Sequence, residues 1–75
     1  MFRKGIVKRA VLRRFAVTLR GIDDTFSGIL TEFDTEMYVF EDCYKVPTKE
    51  GETVAKIPGR LFVERNTVAW LQELP

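Results

Sequence analysis

The chain has 75 residues, 12 of them basic and 11 acidic, for a formal charge of +1, with one cysteine and no histidine. Cys43 alone excludes an internal disulfide, and without histidine it excludes a zinc site unless subunits pool their ligands. That length makes one small domain over residues 1–75, whose own core supplies only about 3–5 kcal/mol, so self-association is the natural source of extra burial.

The charge is unevenly placed. Arg3, Lys4, Lys8, Arg9, Arg13, Arg14 and Arg20 put seven cations and no carboxylate in the first twenty positions; the remainder carries five cations against eleven carboxylates, a balance of −6. No apolar run is long enough to span a bilayer and no signal peptide is recognisable, so the expectation is a reduced, cytoplasmic protein without a membrane partner.

Residues 1–14 predict a basic N-terminal helix: Phe2, Ile6, Val7, Ala10 and Val11 form an apolar stripe with Lys8 and Arg9 between them. From Phe15 the period changes to alternation, and Phe15 to Leu19 predicts a first strand. Gly21 supplies a turn at low cost because it takes positive φ easily. A second strand is expected from Thr25 to Asp34, with Gly28 marking a bend or a close backbone approach. A third runs from Glu36 to Val46, and Cys43 within it reads as a small buried hydrophobe. The fourth, Thr53 to Glu64, is broken by the kink of Pro58-Gly59, and the fifth runs from Val68 to Leu74. A helix followed by five short strands over 15–75 cannot make a two-sheet sandwich with a useful core, but it can close into a strongly bent antiparallel barrel.

Large aromatics at Phe62 and Trp70 are expected in the core or in a subunit interface rather than on a ligand platform, while Tyr44 stays open. The paired acids Asp23-Asp24 and Glu41-Asp42 read as a turn and a strand end, with no apolar surroundings to raise a pKa for acid–base work. With no histidine, no glycine-rich phosphate loop and no nucleophile motif, the sequence points to a binding protein without a cofactor rather than to an enzyme.

Two stretches resemble a known family. Val17-x-Leu19-x-Gly21 with Phe26-x-Gly28-x-Leu30-x-x-Phe33-Asp34-x-x-Met37 is similar to the first motif of the Sm-like (LSm) proteins. Pro58-Gly59-x-Leu61-Phe62-Val63 with Val68 is similar to the second. The resemblance covers the chain, including the leading helix, and implies an SH3-like five-stranded barrel assembled into a homo-oligomeric ring of roughly five to seven copies. It extends to divergent members encoded by bacteriophages, which are similarly short and lack pocket residues.

The same resemblance implies RNA as partner, but the base-holding elements differ. Asp34 is kept, Glu36 precedes Met37, Tyr38 stands at the asparagine position, and Glu64-Arg65 replace the arginine–glycine pair. The edge-reading amide and arginine fork are thereby lost, whereas Tyr38 and Arg65 form a candidate stacking pair tolerant of sequence. The candidate nucleic-acid residues are therefore Arg3, Lys4, Lys8 and Arg9 for phosphate, with Asp34, Glu36, Tyr38 and Arg65 for a base. Two other readings compete: a protein-binding ring or scaffold without the base pocket, and a monomeric SH3- or Tudor-like module with aromatics clustered on one open face.

Overall fold

A computed structural model describes residues 11–21, 24–47 and 50–75. Six strands follow in order: β1 (Arg14–Leu19), β2 (Thr25–Phe33), β3 (Met37–Lys45), β4 (Ala55–Ile57), β5 (Leu61–Glu64) and β6 (Val68–Glu73), with a 3₁₀ turn at Arg65–Thr67 before the last. They form one antiparallel sheet in the order β4-β3-β2-β1-β6, with β5 also on β3. Alternation sends Phe15, Val17, Phe26, Leu30, Tyr38, Phe40, Cys43 and Val68 into a single core. Phe26 meets Phe40 edge-on at 5.4 Å between ring centroids.

The bend in this sheet is made at Gly28. Ser27 pairs with Tyr44 and Ile29 with Glu41, so Gly28 alone faces both Asp42 and Cys43. Asp42 absorbs the extra residue with φ +52. A Cβ on Gly28 would lie 2.8 Å from Cys43 Sγ, closer than real Cβ atoms approach, and 3.1 Å from Phe40 Cβ, a tight contact. The Arg14 guanidinium ties the bulge down. It donates to the Asp42 carbonyl at 3.0 Å, pairs with the Asp42 carboxylate and reaches Ser27 Oγ at 3.4 Å.

Three expectations change. The helix expected over 1–14 lies mostly outside the described residues, and its last four residues are not helical. Leu12 has φ +69, Leu12 N–H donates to the Leu30 carbonyl at 2.6 Å, and Arg14 already begins β1. The nine-residue β2 outreaches β1, and its spare backbone groups hold Leu12 and Arg13 as a ladder extension in place of helical bonds. The expected fourth strand is two. β4 pairs with Cys43 to Lys45 and β5 with Met37 to Phe40, while Pro58 without an N–H and Gly59 at φ +79 leave the ladder between them.

Finally, of the two places expected for Phe62 and Trp70, core or subunit interface, the core is excluded. The two residues are 59% and 63% exposed. On β6, Val68 pairs with Leu19 but Trp70 pairs with Thr18, so Ala69 is an extra residue. Simple alternation would place Trp70 on the face of Val68. The bulge reverses that parity, turning Leu71 inward and Trp70 outward.

Gly28→Ala should destabilise the fold by about 1–3 kcal/mol through overpacking. Because the obstructing atom is a thiol, Cys43→Ala should cost less in the Gly28→Ala background than in the parent protein. Urea denaturation of the four proteins measures that coupling; strictly additive losses would show that the two sites do not press on each other.

Candidate nucleic-acid interface

Two turns from distant parts of the chain meet at one end of the sheet. In the β2–β3 turn, Asp34 Oδ1 accepts the N–H groups of Glu36 and Met37, both at 2.7 Å, while Asp34 N–H donates to the Met37 carbonyl at 3.0 Å. This is the local side-chain turn for which aspartate is chosen over longer acids. The Glu36 N–H bond and then the Met37 bond hold the Asp34 carboxyl below its ordinary value; desolvation opposes them, and the charge of Arg65 adds the smallest lowering.

Arg65 opens the 3₁₀ turn after β5 and joins it to the first turn. Its backbone N–H donates to the Glu36 carbonyl at 2.8 Å, and its Nη1 donates to the Asp34 carbonyl at 2.7 Å. That second bond lays the guanidinium over Tyr38, 5.0 Å from the ring centroid. Thr67 Oγ1 closes the turn on the Glu64 carbonyl at 2.7 Å.

Four of the eight site residues expected from sequence therefore come together: Asp34, Glu36, Tyr38 and Arg65. The other four, Arg3, Lys4, Lys8 and Arg9, lie outside the described residues. The stacking pair forms, but inside the protein. Tyr38 is 3% exposed, tilted against Phe40 at 6.0 Å and capped by Arg65, so its ring faces offer no platform. What faces outward is the far side of a half-buried guanidinium whose remaining N–H groups have no partner among the described residues. Around it stand the exposed acids Asp34, Glu36 and Glu64. A neutral planar group can lie on Arg65 there, and a phosphate is repelled.

Sequence reasoning missed a second cluster on the outer face of β1 to β4. Arg14 and Lys56 lie 5.7 and 6.0 Å from the centroid of the Tyr44 ring, and both reach Asp42, with Lys56 Nζ at 3.9 Å. Arg14 is thus engaged in holding the barrel rather than free for phosphate, and Arg20 Nε donates to the Val68 carbonyl at 3.2 Å. The register that assembles this cluster carries no local sequence signal. Among the described residues no group of three ligating side chains could hold a metal ion, and no helix is long and apolar enough to cross a membrane.

No protein-family profile and no curated protein matches the sequence. Solved structures do. A heptameric archaeal Sm protein superposes with TM-score 0.77 over 95% of this chain and 98% of its own, at 24% identity. The SmAP1 heptamer of P. aerophilum gives 0.79 over 100% of this chain and 99% of its own, at 23% identity. The fold is the Sm-like fold, an antiparallel, strongly bent β-barrel type. Both of these similar proteins are archaeal, and neither lends support to a bacteriophage affinity.

The lowered pKa of Asp34 fixes the sign of a pH effect. The stability it contributes is present above its unfolded value, near 3.8, and is lost as pH falls through the lower folded value. Asp34→Asn keeps the accepting oxygen but not the charge, so its deficit relative to the parent should shrink as pH drops below about 4. Asp34→Ala should lose the turn bonds at every pH. Thermal melts between pH 2.5 and 7 separate the two; a deficit for Asp34→Asn that stays constant across that range would refute the assignment.

Proposed function

We propose that the protein is a subunit of a closed homo-oligomeric ring of about five to seven copies that binds RNA or another single-stranded nucleic acid, and that it acts by binding rather than by catalysis. The observation that carries the ring is a pair of open sheet edges. Along one, β4 and β5 are bonded only to β3; along the other, β6 is bonded only to β1, among the described residues. Each edge leaves a row of backbone N–H and C=O groups for another chain, and two different edges on one molecule make a head-to-tail contact that closes by rotation. That the two similar structures are heptamers supports this reading.

Nucleic acid is then held chiefly through phosphate by Arg3, Lys4, Lys8 and Arg9, since Tyr38 is covered and Glu36 and Glu64 repel the backbone at the old base position. Arg65, supported from beneath by Tyr38 and from the side by the Asp34 carbonyl, supplies a stacking face with little sequence preference. The covered Tyr38 equally favours a second reading, a ring that binds protein and has abandoned bases.

Native mass spectrometry gives the copy number, and RNA titration at two salt concentrations separates the readings. Binding should fall steeply with salt, with a slope of about −0.7 per phosphate contacted. Replacing Arg3, Lys4, Lys8 and Arg9 by glutamine should abolish binding, and Arg65→Ala should cost about 1–3 kcal/mol. No binding by the parent protein at low salt leaves the protein-binding ring.

A further inference from the structure

Phe62 and Trp70 are large apolar side chains left exposed in one copy, and each sits in the middle of a different open edge strand. We propose that Trp70 of one copy packs against Phe62 of the next, an aromatic contact that seals each junction; this rests on the ring reading above.

The two side chains lie on the same face of the sheet. Phe62 pairs with Val39 on the outer face, while its neighbours Leu61 and Val63 turn toward the core. Trp70 pairs with Thr18 on the outer face, while Leu71 turns inward. If the β5 edge of one copy continues into the β6 edge of the next, outer residues meet outer and inner meet inner. An antiparallel register with Phe62 opposite Trp70 also places Leu61 opposite Leu71 and Arg60 opposite Gln72. The half-buried leucines gain cover, and no like charges face each other.

Within one copy the two rings do not meet: β5 and β6 are not bonded to each other, and the ring pairs among the described residues are Phe26–Phe40 and Tyr38–Phe40. Phe62 is already positioned: the Arg60 guanidinium lies 5.4 Å from its ring centroid and is held at 3.5 Å by Glu32. Trp70 has no aromatic or cationic ring partner among the described residues. The Ala69 bulge sacrifices ladder regularity to turn the largest side chain of the molecule away from its own core. Bulges re-aim side chains in this way, and a partner outside the copy accounts for the direction chosen. Large aromatics of this kind dominate the energetics of subunit contacts.

The chain has one tryptophan, so its fluorescence reports on Trp70 alone. Sedimentation and emission spectra across a dilution series test the contact in the parent, Phe62→Ala and Trp70→Ala proteins. The ring should show blue-shifted emission protected from acrylamide, moving to the red on dissociation. Phe62→Ala should move Trp70 emission to the red in whatever ring remains. Each variant should raise the half-assembly concentration by about tenfold or more, and the double variant little beyond either. Far-UV circular dichroism should be unchanged, since both side chains are exposed in the single copy. A ring whose Trp70 emission is that of a solvated indole, with assembly unaffected by either variant, overturns the contact and leaves the ring. A parent protein that stays monomeric at all concentrations overturns both.

Discussion

The backbone of Gly28 lies so close to Cys43 and Phe40 that a Cβ there would force a neighbour to shift, and the course of the sheet depends on that contact. It lets β2 fold over β3 at a bulge, so that β3 bends while carrying β2 along one edge and both β4 and β5 along the other. Without the bend, Phe26 and Phe40 could not meet edge-on, and the core would open into a flat sheet with one wet face. The site is filled by burial as well as by shape. Cys43 is fully buried, and desolvation raises its thiol pKa against the opposing charge of Arg14, so it behaves as a small apolar group.

The same bend brings the two ends of the chain's information together. The β2–β3 turn and the turn after β5 are about thirty residues apart in sequence, yet Arg65 bridges them through the carbonyls of Glu36 and Asp34. The bridge determines what the surface can recognise. A guanidinium fixed over a buried ring is a flat, rigid cationic face, whereas the carboxylates beside it exclude backbone phosphate. The chain concentrates its cations before β1, in a stretch whose sequence holds no acidic residue.

Sheet edges set the remaining constraint. Six strands in so short a chain leave β4, β5 and β6 each with one unbonded side among the described residues, and exposed aromatics stand on β5 and β6. An isolated copy in this state exposes templates for uncontrolled pairing, while the proposed ring covers the β5 and β6 edges at each junction. In the proposed ring, assembly supplies the burial that the small core lacks.

Much of this was legible in the residues. Alternation placed β1, β2, β3 and β6 to within two residues, Gly21 has the positive φ its turn required, and Pro58-Gly59 marked the break between β4 and β5. Gly28 and Cys43 were identifiable as a close approach and a buried thiol. These features are local: a residue's chirality, its missing donor or its periodicity decides them wherever the chain runs. The side on which Trp70 lies, the burial of Tyr38 beneath Arg65, and the engagement of Arg14 with Asp42 were decided only in the tertiary structure. A single extra residue at Ala69 inverts every position after it, and whether a bulge forms there depends on pairing with β1, some fifty residues earlier. Sequence determined which side chains could bury or bind; cross-strand register determined which of them face the core, the solvent or another copy.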